Sequence, residues 1–246
     1  MKLDATRTVR EFATEIPNAT RIFEELGIDY CCGGAKSLRD ACARARLPVE
    51  EVLLALEQGS GFRPQTEAAP PDFTAGSLSG LIEHIISKHH AYAKHELPRI
   101  QQLLNKVVLA HGGTEHPELG KIRRTFEAVS AELTSHMMKE EHVLFPYIAE
   151  LEEAINTGRR VPKPVFGTLR NPVHVMELEH ESAGAALSEI RTLSGGYTAP
   201  ADACFSYKTL YTALKEFEAD LHQHVHLENN VLFPRAIGLE RVAVVR

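Results

Sequence analysis

Cysteine is scarce in this sequence, with four among 246 residues. That is too few for the disulfide framework of a small secreted domain. Cys31 and Cys32 are adjacent, and a bond between neighbours would strain the peptide joining them, so reduced thiols in a reducing compartment are expected. Long apolar runs are also missing. Met1 to Phe12 mixes Lys2, Asp4, Arg7, Arg10 and Glu11, which argues against a signal peptide or membrane anchor and predicts a cytoplasmic protein with no membrane partner. There is no excess of positive charge: 27 Lys and Arg against 33 Asp and Glu give a formal charge of −6, so nothing electrostatic favours nucleic acid. The first 83 residues contain no histidine, although the chain has 13, running from His84 to His226. That last absence divides the chain in two.

What is present is ordinary for a protein with a proper core: 43% hydrophobic and 24% charged residues. Residues 59–76, GSGFRPQTEAAPPDFTAG, are rich in Gly and Pro without periodicity and read as a linker. Residues 1–58 then form a small helical domain. Asn18 and Ser37 are expected N-caps, Gly27 a C-cap, and Pro48 a helix start. Residues 77–240 hold four long helical stretches, at 77–110, 117–155, 172–193 and 201–236, with no alternating strand pattern among them. The joints HGGTEHP, NTGRRVPKP and SGGYTAP separate them. The expected fold is all-α, a small N-terminal helical domain followed by an up-down-up-down four-helix bundle.

The bundle sequence repeats. His136-Met-Met-Lys-Glu140-Glu-His-Val-Leu-Phe-Pro146 matches His224-Val-His-Leu-Glu228-Asn-Asn-Val-Leu-Phe-Pro234 at a constant offset of 88 residues. A weaker echo at an offset of 90 pairs His84 with His174, His90 with His180 and Ile100 with Ile190. A duplicated helix pair should build any site between its halves from equivalent positions used twice.

Helical geometry places positions i and i+4 on one face, so His136 points with Glu140 and His224 with Glu228. Leu133, Met137 and Leu144 line the first face and Leu221, Val225 and Leu232 the second, so both pairs point into the core. His180 shares a stripe with Val173, Met176, Ala183 and Leu187. On the first helix, periodicity leaves His89 and His90 equal, and the offset-90 echo selects His90. An isolated core histidine is usually just hydrogen-bonded, but buried imidazole beside buried carboxylate, placed twice, calls for a compensating charge. Four imidazoles and two carboxylates suit two divalent cations with open positions, iron or manganese better than closed tetrahedral zinc. Glu132, one turn before His136, and Glu179, beside His180, are candidate accessory carboxylates, with surface positions the plain alternative. His84 and His174 are outer-shell positions at best, and His222 and His226, next to Asn229, are expected in solvent. The repeated Val-Leu-Phe-Pro is expected to pack and end its helix.

These motifs resemble the hemerythrin-like domain. With Asp29-Tyr-Cys31-Cys32-Gly33-Gly34 and Ser37-Leu38-Arg39-Asp40-Ala41-Cys42 ahead of it, nearly the whole chain is similar to the iron–sulfur cluster repair di-iron proteins, the RIC or ScdA/YtfE group. The resemblance implies that His90, His136, Glu140, His180, His224 and Glu228 ligate two non-haem iron ions, oxo- or carboxylate-bridged. It further implies repair of clusters damaged by nitrosative or oxidative stress, with damaged iron–sulfur proteins as clients, nitric oxide or dioxygen as small ligands, and a homodimer as one expected assembly. A nitric oxide reductase-type reaction is one form this chemistry takes. An oxygen or nitric oxide carrier or sensor without catalysis is the alternative. His84, His89, His222, His226 and the long connection around Arg159 to Pro172 depart from the family pattern.

Cys31 and Cys32 are candidate functional thiols, for redox chemistry, iron or sulfur transfer, or client docking; filling a small turn is the plain alternative. Ser37 opens the next helix, whose positive end is expected to lower a nearby thiol pKa. Cys42 and Cys204 are expected to pack.

Overall fold

Thr8 starts the first helix with a capping box: its side chain accepts from the backbone of Glu11, and Glu11 accepts in return from the Thr8 N–H at 2.8 Å. In the computed structural model, which describes residues 3–59, 73–113, 116–161 and 163–245, this is α1, Val9–Glu15. It is followed by α2 (Ala19–Leu26), α3 (Leu38–Ala45) and α4 (Val49–Gly59). Ser37 caps α3 as expected, accepting from Asp40 N–H at 3.1 Å. Gly27 ends α2 at φ +67°, a left-handed position that suits glycine. Asn18 precedes α2 but is itself left-handed and makes no side-chain cap. Val9, Phe12, Phe23, Tyr30, Leu38 and Leu56 form the core of this unit. Most of the linker expected at 59–76 lies outside the described residues.

Four long helices follow, and three change pitch on the way. The first, α5 (78–111), runs as Leu78–His84, a π-helical stretch Ile85–His90, and Ala91–His111. The second, α6 (118–157), runs as Glu118–Lys139, π-helical Glu140–Leu144, and Phe145–Thr157. Helix α7 is Arg170–Leu193. The last, α8 (205–245), runs as Phe205–His226, π-helical Leu227–Leu232, and Phe233–Val245. Each packs on the next and α8 returns to α5, closing a four-helix bundle. Among the described residues the β structure noted is an isolated bridge between Thr8 and Ser37. No described helix is long and apolar enough to cross a membrane.

The repeated Phe-Pro does not end its helices. Proline lacks an N–H and crowds the preceding turn, and in both copies it stands just after a π-helical stretch whose wider turn accommodates that loss. Both helices continue.

Two apolar clusters fill the bundle. Leu97, Leu104, Phe126, Leu187, Leu214 and Phe217 belong to one end, and Leu81, Ile85, Phe145, Ile148, Met176 and Phe233 to the other. Between them, along every helix, fall His90, His136, Glu140, His180, His224 and Glu228, all buried. A polar layer therefore crosses the middle of an otherwise apolar interior.

Candidate metal centre

The six residues meet as two overlapping sets: His90, His224, Glu140 and Glu228, and His136, His180, Glu140 and Glu228. Both glutamates belong to both sets. In the first, His90 Nε2 is 3.1 Å from His224 Nε2 and 3.4 Å from Glu140 Oε2, and His224 Nε2 is 3.0 Å from Glu228 Oε1. In the second, His136 Nε2 is 2.9 Å from His180 Nε2 and 3.3 Å from Glu140 Oε2, and His180 Nε2 is 3.1 Å from Glu228 Oε2. The three π-helical stretches carry His90, Glu140 and Glu228, and such stretches often mark functional sites because they re-aim side chains that a regular helix would splay.

Two observations test whether a cation fits. Three of the four rings have Nδ1 against an acceptor: His90 on Glu141 Oε1 at 2.7 Å, His136 on Glu179 Oε2 at 2.8 Å, and His180 on Asn229 Oδ1 at 3.0 Å. With the proton held at Nδ1, each Nε2 lone pair points inward, so the short nitrogen–nitrogen contacts set lone pair against lone pair. Both oxygens of Glu140 and Oε2 of Glu228 are buried without a hydrogen bond, a cost that a native interior rarely tolerates. Cations between the rings relieve both defects, and the mixed nitrogen and oxygen donors suit iron.

Protons do that work otherwise. Burial alone pushes the His90 imidazole down, but the carboxylates of Glu140 and Glu228 override it and lift it to about 10. His136 is likewise lifted against burial, mainly by Glu140, to about 9. Burial pushes Glu228 up, yet His224 and His180 hold it well below the ordinary carboxylate range. The layer thus keeps its carboxylates charged and gathers positive charge opposite them.

The sequence profile of the hemerythrin HHE cation binding domain matches residues 81–236. The chain belongs to this hemerythrin HHE family. A domain of unknown function, ScdA_N, matches residues 5–59. A probable iron–sulfur cluster repair protein of Haemophilus influenzae is 37% identical over 237 residues, covering 95% of this chain and 98% of the relative. The iron–sulfur cluster repair proteins YtfE of Dickeya chrysanthemi and Edwardsiella ictaluri are each 36% identical over 232 residues, 94% of this chain.

The hemerythrin-family duplication extends to residues outside the six. Glu141 and Asn229 are equivalent at the offset of 88, and they hold Nδ1 of His90 and His180, which are equivalent at the offset of 90. Glu179, on His136, has His89 as its counterpart. His89 stacks on His224 with ring centroids 5.6 Å apart and is tied to Asp220 at 3.0 Å. Sequence reasoning gave Glu179 an accessory role but none to Glu141, Asn229, His89 and Asp220, although extending the repeat by one residue points to the first three. Lys94 pairs with Glu141 at 2.6 Å and Lys139 with Glu179, so each carboxylate joins a buried ring to a surface ammonium.

Other expectations fare differently. Glu132 is exposed and meets Ser182 at 3.3 Å, away from the six. His174 is exposed, while His84 lies edge-on to His89. His222 and His226, expected in solvent, are half-buried and buried, and Asn229 and Asn230 beside them are buried too, because the N-terminal unit covers that face of α8. Asn230 Nδ2 donates to the Tyr30 carbonyl at 2.8 Å, Arg10 donates to Asn230 at 2.7 Å, and His222 pairs with Glu24 at 2.9 Å. Cys42 is buried in the small core, but Cys204 is exposed beside His111 at 3.2 Å. Cys31 is buried and Cys32 partly so, with Sγ atoms 3.9 Å apart. The shared hydrogen bond with Cys32, together with burial, holds the Cys31 thiol well above the ordinary range, so the helix-end effect expected from Ser37 does not prevail there.

Proposed function

We propose that this chain repairs iron–sulfur clusters damaged by nitrosative or oxidative stress, as a di-iron protein with His90 and His224 on one ion, His136 and His180 on the other, and Glu140 and Glu228 shared. The supporting observation is the pair of buried, unsatisfied carboxylates common to both histidine sets. The names of relatives covering nearly the whole chain support the repair role. Domain limits of 1–58 and 77–240 belong to the same reading, and they agree in outline with the spans matched by the two family profiles.

Bound iron would supply one-electron steps and open positions for a small ligand such as nitric oxide or dioxygen. The chain's own residues do the rest. Glu141, Glu179 and Asn229 fix the tautomer of three rings and aim them. The apolar clusters on either side exclude water. The Glu141–Lys94 and Glu179–Lys139 pairs offer His90 and His136 a route for protons to the surface. The dicysteine loop is seated against the bundle, with the Cys31 carbonyl accepting from Asn229 Nδ2 at 3.4 Å, a placement that favours repair over an oxygen carrier or sensor, which has no use for thiols there.

The test is transfer of iron from the loaded protein to a cluster-free iron–sulfur protein under anaerobic conditions, with and without prior nitric oxide. Recovery of the client's activity that depends on iron loading is expected. Reversible dioxygen binding without any transfer would overturn the repair reading.

A further inference from the structure

Asp29, Cys31 and Cys32 bring one carboxylate oxygen and two sulfurs within 4.8 Å of one another. The loop between α2 and α3 holds them on the wall of a 440 Å³ cleft between the N-terminal unit and α7 and α8, with Glu24, Arg191 and His222 also on its walls. The distances, set in the thiols by hydrogen bonds, also match coordination. A disulfide needs about 2 Å between sulfurs, whereas two thiolates on one tetrahedral cation at about 2.3 Å each stand about 3.8 Å apart. The sulfurs here are 3.9 Å apart. A thiolate and a carboxylate oxygen on the same ion stand about 3.6 Å apart, and Cys31 Sγ lies 3.5 Å from Asp29 Oδ1. Two edges of one coordination tetrahedron are therefore already set.

The geometry points to a second, mononuclear metal site, in which Asp29, Cys31 and Cys32 hold one thiophilic divalent cation such as zinc or ferrous iron, with the fourth position open to the cleft. The loop is built to hold that shape. Asp29 Oδ1 accepts from the Cys32 N–H at 3.0 Å, fixing the carboxylate against the peptide between the ligands. A Cβ on Gly33 would fall 2.7 Å from the Asp29 carbonyl, so only glycine permits the turn. Binding the ion exchanges two S–H protons for two metal–sulfur bonds and releases those protons to water, since a coordinating thiol is deprotonated. Three protein ligands and one open position make an exchangeable site rather than a closed structural one.

Its position suits an ion in transit. Cys32 Sγ lies 3.9 Å from where a Cβ on Gly184 would stand, one helical turn beyond His180. This use rests on the iron-donation reading above; the site itself does not.

The test is an anaerobic titration of the full-length, iron-loaded protein with cobalt(II), read by metal analysis and by thiolate-to-cobalt charge-transfer absorption. One cobalt per chain beyond the iron, with that absorption, is expected. In Cys31→Ser/Cys32→Ser the absorption disappears while iron content stays as in the parent. Asp29→Asn keeps both thiols and an acceptor for the Cys32 N–H, and should weaken cobalt about a hundredfold, since even groups one shell out cost about ten- to a hundredfold. No added cobalt, cobalt without thiolate absorption, or absorption that survives Cys31→Ser/Cys32→Ser would each overturn the site. The histidine and glutamate layer has no sulfur, so cobalt entering it through failed iron loading lacks this signature and is told apart.

Discussion

The amide oxygen of Asn229 lies 3.0 Å from Nδ1 of His180. Its amide nitrogen donates to the Cys31 carbonyl, so one side chain orients an inner-layer ring and ties down the dicysteine loop. Asn229→Ala removes both contacts. Loss of such an orienting partner costs about ten- to a hundredfold in metal affinity. The expected result is weaker retention of one of two irons against a competing chelator, with the other little changed.

Glu140 and Glu228 are buried, and together they leave three oxygens without hydrogen bonds. Without metal their charge is balanced by the His90 and His136 imidazoles, which they hold protonated, and removing one partner of a buried pair costs about 3–5 kcal/mol. Metal-free Glu140→Gln should then melt below the metal-free parent. The rise in melting temperature that iron gives the parent should be largely lost in the variant, as calorimetry of both forms would show.

Gly34 sits under Asn230, and a Cβ there would fall 2.4 Å from Asn230 Oδ1. Asn230 has little room to yield, being held by Arg10, Tyr30 and His226 at 2.7–2.9 Å. Gly34→Ala should cost about 1–3 kcal/mol by overpacking. Limited proteolysis should show the N-terminal unit released first, because this contact lies where it meets α8.

Glu152 caps α5 from α6, accepting from the Leu78 and Ser79 N–H groups at 2.6 and 2.9 Å. Burial pushes its carboxyl up, but the Ser79 and Leu78 hydrogen bonds outweigh that and leave it below its ordinary value of 4.5. A carboxyl depressed in the fold stabilises it above its unfolded pKa, and that stability is lost as pH falls through the folded pKa. Glu152→Ala should therefore cost about 1–2 kcal/mol near neutrality. The gap from the parent should narrow below about pH 4, as denaturation at several pH values would reveal.

Much of this was legible in the sequence because helices put i and i+4 on one face: the repeated His and Glu of α6 and α8 needed only that rule. His90 was harder, since His89 is also buried, at 1% exposed, and only its equivalence to His180 separated them. The π-helical stretches left no mark, because an added residue per turn alters register without altering composition. His222 and His226 were assigned to solvent because they lie on the face of α8 opposite His224. The N-terminal unit covers that face, and no periodicity within α8 reports a partner some 200 residues away in the chain.

The central claim is that two ions share Glu140 and Glu228. Iron analysis of anaerobically purified protein, with Mössbauer spectroscopy of the parent and of Glu140→Ala/Glu228→Ala, tests it most directly. Two irons per chain with magnetically coupled ferric signals in the parent, and loss of both coupling and iron in the double variant, are predicted. A single uncoupled iron in the parent, or two coupled irons retained without either glutamate, would contradict it.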